Sequence, residues 1–149
     1  MKKLVYTGSG VALVTPMHKD GSINYEKFGE LIEFQISHGT DAIIACATTG
    51  ESPVLNHVEH CKALEYVIQK VNKRVPVIAS TGSNDTAYAV QLSQEAERMG
   101  ADALLSVTPY YNKTSQAGLV RHYTYIADRV NLPIIVYNVP SRTGCNIKP

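Results

Sequence analysis

Short apolar runs alternate along this chain with longer segments in which apolar residues recur every three or four positions. The short runs are GVALVT (10–15), DAIIACA (41–47), PVIAS (76–80), DALLSV (102–107) and PIIVYN (133–138). None alternates polar with apolar as a half-exposed strand does, so each reads as a strand covered on both faces. Between them, Phe28, Leu31, Ile32 and Ile36 form one helical stripe, and Cys61, Leu64, Ile68 and Val71 a second. Ala89, Leu92, Ala96 and Met99 form a third, and Leu119, Tyr123, Ile126 and Val130 a fourth. The boundaries agree: Asn56 with Glu59 makes a capping-box start, and Gly39 and Gly100 stand where helices should stop. Strand starts recur about every 30 residues, the length of one βα unit. The pattern predicts an α/β fold on a parallel sheet.

A weak internal repeat sharpens the architecture. HGTDAIIACATTG (38–50) is matched in pattern by MGADALLSVTPYY (99–111), and RVPVIAS (74–80) by NLPIIVY (131–137). The repeating piece is two βα units, which suits a (β/α)8 TIM barrel better than a doubly wound sheet. Neither G-x-G-x-x-G nor G-x-x-x-x-G-K-[ST] occurs to favour a nucleotide-binding fold. A TIM barrel takes about 250 residues, whereas these 149 hold four βα units and a fifth strand. A fifth helix is expected to begin at Asn146-Ile147-Lys148-Pro149. Residues 1–149 therefore read as one domain, the N-terminal half of a barrel that stops before its sixth strand.

Composition adds exclusions. The net charge is +1, and lysines and arginines are scattered among acids, which leaves no basic face for nucleic acid. No apolar run approaches the roughly 20 residues that cross a bilayer. The N-terminal Lys2 and Lys3 are not followed by the apolar stretch of a secretory leader. Cys46, Cys61 and Cys145 are odd in number and widely spaced, as reduced thiols are, and unlike a disulfide framework. A soluble cytoplasmic protein is expected, with neither nucleic acid nor membrane as a partner.

In a parallel barrel, chemistry collects at the carboxyl ends of the strands. Those ends read Thr15-Pro16, Thr48-Thr49-Gly50-Glu51, Ser80-Thr81-Gly82, Thr108-Pro109-Tyr110-Tyr111 and Tyr137-Asn138. A hydroxyl stands at all five, although Thr and Tyr also favour strands for packing reasons alone. Glu51 is the only acid there, so a metal set, a carboxylate pair and a Ser-His-Asp arrangement are all missing. No metal and no cofactor are expected. Glu51 itself reads as complementing a helix start. His57 and His60 lack a third metal ligand and read as an exposed helix face, and Cys46 as a small core residue inside the second strand.

Hydroxyls relay protons but are weak bases unaided near neutral pH. They suit reactions whose electron sink lies elsewhere, such as an iminium between a lysine amine and a carbonyl substrate. Lys113 and Lys148 lie in loops, and neither reads as that amine. Arg142, in the loop VPSRTG, is either solvated or set to grip a substrate carboxylate bidentately.

The segments ATTGES, VTPYYNKTSQAGL and YNVPSRTG resemble those of the 4-hydroxy-tetrahydrodipicolinate synthases, a branch of the pyruvate-dependent class I aldolase family. That family also holds N-acetylneuraminate lyase. The pair TPYYNK and YNVPxRTG is specific to the synthase branch, whereas TTGE is shared more widely. The resemblance runs from about Thr7 to the last residue and covers about the first half of a member.

The resemblance implies a (β/α)8 barrel that condenses pyruvate with aspartate semialdehyde, through a Schiff base on a lysine of strand six, towards diaminopimelate and lysine. It implies that Thr48, Tyr111 and Tyr137 form a proton relay, that Thr49 holds the pyruvate carboxylate, and that Arg142 orients the semialdehyde. It further implies that Tyr111 reaches into a neighbouring subunit, so that a dimer is the catalytic unit and a dimer of dimers the common assembly. Ser52, His57, His60, Asn84 and Tyr110 match a lysine feedback pocket. Tyr88 departs from it, standing where sensitive members carry a glutamate, so lysine sensitivity is expected to be weak or absent. Ala47 departs too, replacing the glycine usual before the two threonines. The Schiff-base lysine is expected to lie beyond residue 149, in a missing C-terminal half, leaving the chain inactive alone. The competing readings are a sugar-acid aldolase of the same family and a non-catalytic half-barrel that acts as an assembly module.

Overall fold

Each of the five apolar runs becomes a strand and each of the four stripes a helix in a computed structural model, which describes residues 4–149. The leader reading of Lys2 and Lys3 lies outside the described residues. In chain order the elements are β1 (Gly10–Ala12), α1 (Tyr25–Ser37), β2 (Ala42–Ala45), a 3-10 turn (Ser52–Val54), α2 (His57–Val71) and β3 (Val77–Ser80). There follow α3 (Thr86–Met99), β4 (Ala103–Val107), α4 (Gln116–Ala127), β5 (Ile134–Tyr137) and a single-turn α5 (Pro140–Thr143).

The strands form one sheet in the order β1-β2-β3-β4-β5, with every neighbour parallel. A doubly wound sheet would reverse its strand order at a switch point. The unbroken sequential order here is that of a partial TIM barrel. Side chains alternate between the two faces. Ile43, Ala45, Val77, Ala79 and Leu104 pack under the helices against Phe28, Ile32, Leu64 and Val67. Ala42, Ile78 and Ala103 face the other way, with Ile44, Leu105 and Ile135 beside them. Both faces are apolar, which is why the strand runs show no polar alternation.

The helix ends follow from local chemistry. The Asn56 side chain accepts from the Glu59 N–H, and the Glu59 carboxylate accepts from the Asn56 N–H, a complete capping box for α2. Asp85 accepts from the N–H groups of Ala87 and Tyr88 at the start of α3, which ends at Gly100 with φ 94°. Gly39 sits one residue past the α1 cap, also left-handed.

Four details differ from expectation. Val130 lies beyond the end of α4, although it still packs on the core. Residues 146–149 are not helical; Asn138 holds them, its Nδ2 donating to Asn146 Oδ1 at 2.9 Å and its Oδ1 accepting from the Ile147 N–H. The helix after β5 is instead α5, within VPSRTG, with Pro140 supplying a helix-ready φ at its first position. Cys46 is buried as expected, but it follows β2 with φ 53° and is not part of the strand. No helix among the described residues is long and apolar enough to cross a membrane.

Candidate functional site

The turn after β2 carries Thr48 and Thr49, both exposed. It is tied from below, where the buried Thr15 hydroxyl donates to the Gly50 carbonyl at 2.7 Å. A Cβ on Gly50 would stand 3.0 Å from the Leu13 carbonyl oxygen and 3.1 Å from Thr15 Oγ1. A side chain there would crowd the segment that follows β1, so glycine suits the close approach of the turn. Glu51 opens the 3-10 turn, as expected of a residue at a helix start, but its carboxylate makes no capping hydrogen bond and its own φ is 56°.

The hydroxyls at the five strand ends separate into two groups. Thr15 is tied to Gly50, Thr81 Oγ1 lies 2.8 Å from Ser93 Oγ, and Thr108 is wholly buried. These three are structural. Thr48 and Tyr111 are exposed, and Tyr137 is partly so at the end of β5. The register Val107↔Tyr137 and the bond from the Thr108 N–H to the Tyr137 carbonyl bring the ends of β4 and β5 level.

Tyr111 is the outlier. It has φ 65° and is 92% exposed, while Tyr110 beside it is half-buried. Asn112 Nδ2 donates to the Asn84 carbonyl, anchoring the loop that carries Tyr111 to the loop before α3. Among the described residues, no side-chain hydrogen bond links Thr48, Tyr111 and Tyr137. Arg142 stands in α5 and not in a loop, exposed, and its guanidinium has no hydrogen bond or ion pair among the described residues.

Of the residues matched to the effector pocket, Ser52, His57 and His60 lie around the start of α2, Asn84 in the loop before α3 and Tyr110 after β4. Ser52 begins the 3-10 turn, and the His57 Nδ1 lies 3.3 Å from the Tyr88 hydroxyl. His60 does not lie on an exposed face: it is 6% exposed and its Nε2 sits 3.0 Å from the Ser80 carbonyl. Burial lowers its pKa. Burial likewise raises that of Tyr88. Cys61 is not a fully buried core residue: its thiol donates to Glu95 at 3.1 Å, and partial burial plus that carboxylate pushes it up to about 12. Glu95 and Gln91 escaped the sequence reading. Their only signal was their position on the face of α3 that meets α2, one turn apart.

The comparisons with known proteins bear on the family and the fold. The model of the Dihydrodipicolinate synthetase family matches residues 5–149. A 4-hydroxy-tetrahydrodipicolinate synthase of Acetivibrio thermocellus is 58% identical over 149 residues, which is all of this chain and 51% of that one. One from Geobacter metallireducens is 59% identical over 97% of this chain and 50% of its own. Among solved structures, the chloride-inhibited dihydrodipicolinate synthase of Acinetobacter baumannii, complexed with pyruvate, superposes with TM-score 0.95 at 48% identity. It covers 97% of this chain and 50% of that one. The chain spans about half the length of the curated relatives it matches. It belongs to the dihydrodipicolinate synthetase family.

Proposed function

We propose that these 149 residues supply the N-terminal half of a 4-hydroxy-tetrahydrodipicolinate synthase, a cytoplasmic lyase that condenses pyruvate with L-aspartate-4-semialdehyde. In this reading the amine that forms the Schiff base is contributed from outside residues 1–149. Thr48, Tyr111 and Tyr137 shuttle the protons that imine formation, enamine formation and ring closure require. Thr49 and the amides around it bind the pyruvate carboxylate, and the unpaired guanidinium of Arg142 takes the carboxylate of the semialdehyde.

The observation that carries the proposal is Tyr111. A tyrosine held in left-handed backbone and 92% exposed makes no side-chain hydrogen bond among the described residues. Such strain persists where function requires it. A phenol projected away from the chain is what a site completed by a neighbouring subunit needs, so the working unit is a dimer at least, and a dimer of dimers by family habit. The pocket around Ser52, His57, His60, Asn84 and Tyr110 would then face that interface. With Tyr88 in place of a carboxylate, it binds lysine weakly or not at all.

The test is borohydride trapping of labelled pyruvate. The 149-residue chain alone should take no label, whereas the same chain mixed with the C-terminal half of a close relative should be labelled on that half and turn over both substrates. Label on the 149-residue chain alone would overturn the placement of the amine. A folded, labelled mixture that ignores aspartate semialdehyde would overturn the synthase reading in favour of another pyruvate aldolase.

A further inference from the structure

We propose that His57, Cys61 and Glu95 form a divalent-metal site, of the kind that takes zinc, in the crevice between α2 and α3. The ligand atoms of these three residues all lie within 4.8 Å of one another. The proposal goes beyond the reaction above and uses none of its catalytic residues.

The geometry comes from two helices. His57 and Cys61 are one turn apart on α2, so their side chains share a face, and Glu95 meets them from α3. His57 Nε2 is 3.6 Å from Glu95 Oε2 and 3.9 Å from Cys61 Sγ, while Cys61 Sγ is 3.1 Å from Glu95 Oε2. A tetrahedral zinc ion with ordinary bond lengths sets its nitrogen, sulfur and oxygen ligands about 3.3–3.6 Å apart. Each pair is within a few tenths of an ångström of that spacing, so small side-chain rotations suffice. Three protein ligands leave a fourth position for water or for the nearby Gln91 amide, which already approaches both His57 and Glu95.

The surroundings of His57 favour its metal-binding form. His57 Nδ1 lies against the Tyr88 hydroxyl at 3.3 Å. If Nδ1 carries the proton and donates to that oxygen, Nε2 keeps its lone pair and aims it at the cluster. A hydrogen-bonded distal nitrogen is the usual support of a metal-bound histidine. The donor set is mixed N, S and O, with a thiolate, which suits zinc over magnesium or calcium. A thiolate, a carboxylate and a neutral imidazole together carry two negative charges, which a divalent cation neutralises. Without metal, one proton sits between sulfur and carboxylate. On binding, that thiol proton leaves to solvent and the ion gives up water ligands.

The experiment is cobalt(II) and zinc binding to the untagged full chain. Cobalt(II) should bind at one equivalent, with a thiolate-to-metal charge-transfer band and the visible bands of tetrahedral coordination. Cys61→Ala should abolish the charge-transfer band, and His57→Ala should weaken zinc binding at least tenfold in competition with a chromophoric chelator. Tyr88→Phe should weaken it by about tenfold, the usual effect of losing a supporting hydrogen bond. The wild-type chain provides a second readout that does not depend on the folding of any variant. Cys46 and Cys145 are buried, so alkylation reports on Cys61, and saturating zinc should slow it at least tenfold. Cobalt binding without the thiolate band, zinc affinity unchanged in folded Cys61→Ala and His57→Ala, or an alkylation rate indifferent to zinc would each overturn the proposal.

Discussion

Thr15 donates its hydroxyl to the carbonyl of Gly50 at 2.7 Å, a buried bond that spans 35 positions and joins the segment just past the first strand to the turn bearing Thr48 and Thr49. Without it, the Gly50 carbonyl loses its side-chain donor in a place water reaches poorly. Thr15→Val should destabilise the chain by about 1–3 kcal/mol, the range for a buried group left unsatisfied, while Thr15→Ser should retain most of that stability. Urea denaturation measures the loss. Amide exchange at Glu51 and Ser52, whose N–H groups close the turn onto Thr48 and Ala47, should quicken in the valine variant alone.

Tyr111 presents the opposite case. Its ring is almost wholly in solvent, so Tyr111→Phe should leave stability within about 0.5 kcal/mol, as for surface changes generally. If the phenol transfers protons in a neighbouring subunit, the same change in an assembled synthase should cut turnover by about 100-fold or more, the usual worth of a positioned acid-base group. Matched unfolding curves with matched turnover would show that the hydroxyl does nothing, and the proton-relay role would fall.

The strands were legible because burial on both faces leaves a run such as DALLSV with no polar position, and the capping pair Asn56 and Glu59 declared the start of α2 outright. The sequential sheet order followed from the two-unit repeat. The one-turn α5 was not legible, since four residues are too few for a helical period and Pro140 in VPSRTG reads equally well as a turn. His60 misled for a different reason: a histidine near a helix start looks solvated, and only the third dimension reveals that Ser80 offers it a carbonyl 3.0 Å away. Cys61 belongs to an apolar stripe by spacing, yet its neighbour Glu95 lies 34 positions on, in another helix. At the site, the motifs picked out Thr48, Tyr111 and Tyr137 among the strand-end hydroxyls, but the division between structural and available hydroxyls depended on packing. Thr81 and Thr108 look no different from Thr48 until their surroundings are known.

Burial sets an acid limit on stability. His60 and His122 both titrate below the ordinary imidazole value because burial penalises the charged ring. The unfolded chain therefore binds protons more readily than the folded one as pH falls through about 6.5. Their contribution is complete above that value and is lost progressively from there down towards the depressed folded values. The urea midpoint should thus drop between pH 7.5 and 5.5. His60→Gln, which keeps an amide donor for the Ser80 carbonyl, should flatten part of that slope. A midpoint equally steep in the variant would show that His60 carries no part of it.

Gly82 and Gly39 separate two reasons for a glycine. Gly39 has φ 84° and nothing within 4 Å of where a Cβ would stand, so its demand is conformational. Asparagine visits that left-handed region more readily than other side chains, and Gly39→Asn should cost less than about 1 kcal/mol, in line with the left-handed preference at helix ends. At Gly82 the demand is steric. A Cβ there would lie 2.3 Å from the Val107 nitrogen and 3.0 Å from the Ser106 Cα, both backbone atoms of β4. Backbone cannot rotate aside as a side chain can, so β3 and β4 would have to part where their carboxyl ends shape the rim. Gly82→Ala should therefore cost about 1–3 kcal/mol, the range for overpacking, and Gly82→Asn no less. Urea unfolding of the four variants, alanine and asparagine at each position, decides the matter: asparagine should outperform alanine at 39 and should not at 82. A near-neutral Gly82→Ala would mean that the close approach of β3 to β4 relaxes without loss.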